Sequence, residues 1–340
     1  DFDRMARVIR QRLEDPRVPK TLHERLRFQL IIAKEIPEYY RLTQADMLAI
    51  LQENINDFTE DELEALRDDG TLDWRYINGE VHFRNNCLDA LLKVRKEYAL
   101  RAKDPEVQAA ADARGQRLNA MITRMKEEGG MHVRFELHEE MTVKSDRLTP
   151  GETLRIHLPL PVVGAQVKSA ALLSTSHPAT FIAPADEPQR TVYFELPYEP
   201  GMTVSAELAY EIEAPYCQPH AREVLAEQPT FDTEEMPPHV VFTPYLRALA
   251  KEIVGDETNP LLKARKIYDF ITTQAVYRYM PPYLTVTNLP EYFMSGLRGD
   301  CGVQAITFIT LCRLCGIPAK WQAGLYTKPD DAGHHDWARF

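Results

Sequence analysis

Apolar residues recur at helical spacing through the first third of the chain and then change to strict alternation. In TLHERLRFQLIIAKEIP, Leu22, Leu26 and Leu30 repeat every fourth position, and Pro37 is expected to end the helix. Thr43 with Asp46, and Thr59 with Glu62, stand as N-cap and reciprocal acid of two further helices. WRYINGEVHF then places two short apolar runs around Asn78-Gly79, a strong local signal for a tight hairpin. Helices resume with CLDALLKVRKEYALRA and, after Asp104-Pro105, with a long Ala-rich segment that Gly129-Gly130 closes. Residues 1–129 therefore read as a helical domain without a catalytic motif, suited to packing or to binding a partner.

From 131 to 213 the period is two. MHVRFELHEEMTV, ETLRIHLPLPV, QVKSAALLS, TVYFELPYE and MTVSAELAYEIEA are short strand-like runs separated by Pro and Gly turns, the pattern of an all-β sandwich. His132, His138 and His157 fall in or beside these runs without a ligand spacing, so surface positions are expected. Residues 214–340 form the third region. A Pro-bearing link leads into YLRALAKEIV and NPLLKARKIYDFITTQAV, an aromatic loop from Tyr277 to Arg298, an apolar cysteine helix, and strand-like AKWQAGLYT and HDWARF, an α+β order.

A chain of 340 residues agrees with several cores and a multidomain layout. Its formal net charge of −11 argues against nucleic-acid binding, which needs a basic face. No apolar run approaches the roughly 20 residues of a membrane span. DFDRMARVIR has neither a leader's apolar core nor an initiator Met, suggesting a processed or trimmed chain. That leans the location towards the cytoplasm and leaves a secreted or cell-surface one open if a leader was removed. Cys87, Cys217, Cys301, Cys312 and Cys315 are too few and too scattered for a disulfide framework, and their odd number leaves a free thiol.

The chemistry concentrates in RGDCGVQAITFITLCRLCG. Gly299 and Asp300 supply a turn and a cap, so Cys301 opens a helix whose unpaired N–H groups and dipole favour a thiolate. The same N–H groups suit the oxygen of a tetrahedral intermediate. Cys312 and Cys315 share that face but lie about 16 and 21 Å down the axis. They are expected to be core cysteines, with a zinc site using them and His334-His335 weighed only as a remote option; no metal or cofactor is expected. A thiol nucleophile needs a base, and GHHDWARF offers His334 and His335, of which a strand presents one to Cys301. Asp336 then faces away from His335 and is a poor orienter.

GDCGVQAITFITLCRLCGIPAKWQAG followed by HHDWARF resembles the transglutaminase-like superfamily, a relative of papain-type cysteine proteinases, over about the last hundred residues. Arg313, Gly316, Ile317, Pro318, Ala319 and Lys320 match the family's R-x-x-G-I-P-A-[RK] segment, and His335 with Trp337 matches its H-x-W strand. The β-region resembles the domain that precedes many bacterial members. The resemblance implies a catalytic Cys301, with His335 as base and His334 as a flanking surface residue. It implies a third residue, Asp or Asn, on a strand after the histidine, which is expected beyond Phe340, leaving the C-terminal core truncated and its activity impaired. An Asp some 15–20 residues after His335 would complete the set. Tyr283, Asn288 and Tyr292 are candidate oxyanion donors, and Asp300 reads as a cap.

The implied activity is thiol-dependent acyl transfer on peptide or protein amides. It leans to peptidase or amidase hydrolysis, with transglutaminase cross-linking close behind and removal of Asn-linked glycans a lesser option. The alternative is an inactive binding or scaffold protein.

Overall fold

The computed structural model of the chain describes residues 1–144, 148–328 and 331–340. Two compact units emerge: Asp1–Gly115, Pro219–Leu325 and His334–Phe340 form one, Gln116–Gln218 and Tyr326–Gly333 the other. The N-terminal helices up to Gly115 thus lie in the same unit as the Cys301 helix.

In the first unit, α1 (Phe2–Glu14) packs on α2 (His23–Tyr39). The latter runs two residues past Pro37, because proline removes its own N–H but keeps a helical φ. A short strand β1 (Leu42–Thr43) leads into α3 (Gln44–Asn54), and α4 (Glu60–Asp68) follows; Thr43/Asp46 and Thr59/Glu62 close reciprocal capping boxes at both starts. Next, β2 (Trp74–Ile77) and β3 (Glu80–Phe83) form the hairpin, with Asn78 at φ 51° and Gly79 at φ 104°, the two left-handed positions of a type I′ turn. The predicted helix after it divides at Arg95 (φ −116°, ψ 89°) into α5 (Cys87–Val94) and α6 (Lys96–Ala99). Met47, Leu51, Leu63, Leu66, Phe83 and Leu91 make the core. Helix α7 (Pro105–Glu128) starts at Pro105 and ends before Gly129, whose φ of 76° stops it.

The second unit holds β4 (Gly130–Thr142), β5 (Thr153–Pro159), β6 (Val167–Thr175), β7 (Phe181–Ile182), β8 (Thr191–Pro197) and β9 (Thr203–Pro215). They form two three-stranded antiparallel sheets, ordered β4-β9-β6 and β5-β8-β7. Pairing of β4 with β9 runs in register from Gly130↔Pro215 to Thr142↔Thr203. Alternate residues of both sheets, among them Ile156, Leu158, Phe194, Val204 and Leu208, meet in one core. His132, His138 and His157 are exposed.

Back in the first unit, α8 (Pro244–Val254) and α9 (Pro260–Gln274) begin with Pro behind Thr243 and Asn259 caps. After β10 (Val276–Tyr277) and α10 (Leu289–Gly296), Leu297 turns the chain in the left-handed region (φ 50°) into β11 (Arg298–Gly299), which pairs parallel with β10. That conformation costs a non-glycine residue about 1–2 kcal/mol, which the packing around it offsets. Helix α11 (Cys301–Leu314) comes next, packed by α8, α9 and α10, with Val303, Leu311 and Cys312 fully buried. Strands β12 (Lys320–Lys328) and β13 (Asp331–Arg339) form a two-stranded sheet, of which Lys320–Leu325 and His334–Arg339 belong to this unit. Among the described residues, no helix is long and apolar enough to cross a membrane.

Candidate active site

Cys301 is the first residue of α11 and is half-buried. The Asp300 carboxylate caps the helix, accepting from Val303 N at 3.1 Å, and also accepts from the Tyr283 hydroxyl at 2.6 Å. Gln304 Nε2 donates to the Gly299 carbonyl at 3.0 Å, closing the turn that leads to the thiol. Gly302 leaves room for this arrangement. A Cβ there would collide with the Tyr283 hydroxyl and lie 3.0 Å from both Asp336 Oδ2 and Trp321 Cη2.

The last strand brings Asp336 to the thiol. Cys301 Sγ faces Asp336 Oδ2 at 3.9 Å. His335, predicted to face Cys301, is exposed, and its Nδ1 accepts from the Asp336 N–H at 3.0 Å. Strand alternation explains the difference from expectation. Ala338 packs inward on the core, as Trp321 does, and Asp336, two residues before Ala338, shares its face. On the opposite face, the Trp337 indole fits over Gly324 and donates to Gln322 Oε1 at 2.9 Å, so His335 is carried outward with it. His334 is also exposed.

The electrostatics follow from these neighbours. A helix N-terminus alone predicts a lowered thiol pKa, but burial pushes that of Cys301 up, and the Asp300 and Asp336 carboxylates push the same way. The Asp336 and Gly302 backbone N–H groups oppose them without reversing the sign. Asp336 is itself raised, by burial and then by Asp300, with His335 pulling the other way. Tyr283 is raised strongly, by burial and its bond to Asp300, so it stays a neutral hydroxyl. Burial likewise raises Tyr277, and a charge on Cys301 adds to the effect.

The other cysteines stand apart from this site. Cys312 is fully buried and Cys315 packs against the same core; burial raises both. All five thiols are free. Among the described residues, no group of three or more His, Cys, Asp or Glu is placed to hold a metal ion. Asn288 caps α10 through Glu291 N at 2.9 Å, and the Tyr292 hydroxyl accepts from Arg278 Nη2 at 3.2 Å, so Tyr283 alone of the three candidate donors adjoins Gly302. Sequence reasoning missed Asp336 and Trp321; the packing of Ala338, which sets the strand's inward face, has no local sequence signal.

No curated protein matches the chain. A solved structure from Cytophaga hutchinsonii, provisionally named as a cysteine protease, is 19% identical and covers 62% of this chain and 74% of that one with a TM-score of 0.44. Residues 247–340 match the model of the transglutaminase-like superfamily, a span that begins in α8 and takes in α11, β12 and β13. This stretch, with Cys301 opening its central helix, is a transglutaminase-like domain.

Proposed function

We propose that the domain performs thiol-dependent acyl transfer on peptide or protein amides, with Cys301 as nucleophile and His335 as general base and acid. The observation that carries this is the place of Cys301: a half-buried thiol on the first residue of a capped helix, beside the Gly302 N–H, within a transglutaminase-like domain. The Cys301 sulfur, its proton passed to His335, adds to the amide carbonyl. The C–N bond then breaks as His335 returns the proton to the leaving amine, and a thioester remains. Water converts it to a carboxylate, and a lysine amine converts it to a new amide. Hydrolysis is the favoured outcome. For His335 to reach the thiol, β13 must present its other face to α11, which a one-residue shift against β12 accomplishes.

One observation favours a second reading, a binding or scaffold domain without turnover: Asp336 occupies the place opposite the thiol and helps keep it protonated. Fluorescently labelled casein tests cleavage, and dimethylcasein with a biotinylated primary amine tests cross-linking. Turnover that disappears in Cys301→Ala and His335→Ala supports the catalytic reading. Wild-type protein inert in both assays, with Cys301 unreactive at pH 8, supports the scaffold.

A further inference from the structure

Three parts of the N-terminal helical region meet the segment that delivers Cys301. Helix α5 packs on β10, α2 packs on the single 3-10 turn Tyr283–Thr285, and the Asp69 carbonyl accepts from Arg298 Nη2, one residue before Gly299. A further meeting is ionic and buried. Asp73, 6% exposed, accepts from the Tyr40 hydroxyl at 2.7 Å through Oδ2, and its Oδ1 lies 3.4 Å from Arg278 Nη1. Arg75 stacks over the Tyr40 ring at 5.1 Å, adding a second cation to the cluster.

Arg278 carries the contact to the site. Its Nη2 donates to the Tyr292 hydroxyl at 3.2 Å, and its backbone N donates to the Gly299 carbonyl at 3.1 Å, two residues before the thiol. Its neighbour Tyr279 is held twice by the same helical region. The Arg84 guanidinium donates to the Tyr279 carbonyl, and the Tyr279 hydroxyl donates to Asp89 at 2.7 Å. Lys93 lies 4.5 Å from the Tyr277 ring centre, on the strand that pairs with β11. A buried ion pair contributes little net stability, yet loss of one partner strands the other charge. The hydrogen bonds of Arg278 to Tyr292 and Gly299 hold the backbone that precedes Cys301.

We propose that the N-terminal helical region sets the geometry of the Cys301 site, with Asp73 as a positioning residue that acts through Arg278 on the Gly299–Cys301 turn. This rests on the reading of Cys301 as a reactive thiol and adds that its shape depends on a region outside residues 247–340. Release of Arg278 loosens the turn and uncovers Cys301.

The test is site-resolved alkylation of the full chain with iodoacetamide across pH 6–10, read by mass spectrometry, for wild type, Asp73→Asn, Arg278→Gln, their double variant and Tyr279→Phe. The expected result is Cys301 alkylation at least about fivefold faster in Asp73→Asn and Arg278→Gln, with its pH midpoint lowered and the double variant no faster than either single one. Cys312, buried in the same helix, should keep its wild-type protection, which a loss of overall stability would not allow. Tyr279→Phe, whose lost bond is at the surface, keeps the test available if Asp73→Asn fails to fold, and should shift Cys301 in the same direction. A Cys301 rate within twofold of wild type in the folded variants, or Cys312 exposed in parallel with Cys301, overturns the proposal. Turnover is scored separately. Coupled alkylation in a protein inert on amides removes the catalytic reading and leaves the positioning; Cys301-dependent turnover with uncoupled alkylation does the reverse.

Discussion

The carboxylate of Asp336 lies 3.9 Å from the Cys301 thiol, in the position where a thiol enzyme needs its base. Burial above all, with the Asp300 and Asp336 carboxylates adding to it, holds the thiol protonated above its ordinary range. Asp336→Asn removes one of the two negative neighbours and keeps the shape, so the pH midpoint for Cys301 alkylation should fall. Site-resolved alkylation rates measured from pH 6 to 10 check this, and a midpoint that rises contradicts it.

Gly302 is required by space rather than by backbone conformation. Gly302→Ala forces a Cβ against the Tyr283 hydroxyl, Asp336 and Trp321, and overpacking of this kind costs about 1–3 kcal/mol. The expected outcome is a lowered midpoint in urea unfolding and a site with altered Cys301 reactivity. Gly324→Ala should act differently, displacing the Trp337 ring that a Cβ would meet at 2.9 Å.

Arg313 joins the C-terminal end of α11 to two other segments. Its guanidinium, 6% exposed, donates to the Ala319 carbonyl at 2.7 Å and the Glu234 carbonyl at 2.9 Å. Arg313→Met strands both carbonyls and should destabilise the fold by about 2–4 kcal/mol, while leaving Cys301 chemistry in the surviving folded fraction intact. Chemical denaturation with an activity assay on the folded protein separates the two effects.

Glu139 predicts a pH dependence of stability within the β-strand unit. Burial pushes its carboxyl from 4.5 to about 7, and its buried Oε2 makes no hydrogen bond to a described residue. An acid whose folded pKa is raised binds its proton more tightly in the folded state. Stability is therefore fully present below the unfolded value and declines as pH rises through 4.5 towards 7. Glu139→Gln should raise the melting temperature at pH 8 and leave it nearly unchanged near pH 4. An equal effect at both pH values contradicts the assignment.

Local features of the fold were legible where they depend on neighbouring residues. Capping boxes at Thr43 and Thr59, the Asn78-Gly79 turn and the Pro105 helix start all have donors and dihedrals fixed within four residues. The same holds for Cys301, whose preceding turn and cap are adjacent in sequence. Pro37 misled because a proline stops a helix only when its lost bond or ring clash outweighs packing, and α2 continues to Tyr39. The strand face that meets Cys301 is a tertiary matter. A period of two fixes which residues share a face, yet packing of Ala338 on the core decides whether the face that meets Cys301 is that of Asp336 or His335. The contact of Asp73 with Arg278 joins residues 205 positions apart and has no signature in either segment.

The choice between His335 and Asp336 is open to direct measurement. If β13 turns its other face inward during turnover, His335→Ala should lower kcat by at least about 100-fold, while Asp336→Asn should have a smaller effect. Loss confined to Asp336→Asn would transfer the proton-transfer role to the carboxylate.

On the proposed mechanism the thiol of Cys301 forms the acyl intermediate. The most direct measurement is kcat/KM for cleavage of labelled casein by wild type and Cys301→Ser, with Cys312→Ser as the buried control. The account predicts a loss of at least about 1,000-fold for Cys301→Ser and near wild-type turnover for folded Cys312→Ser. Cys301→Ser activity within about tenfold of wild type would contradict it.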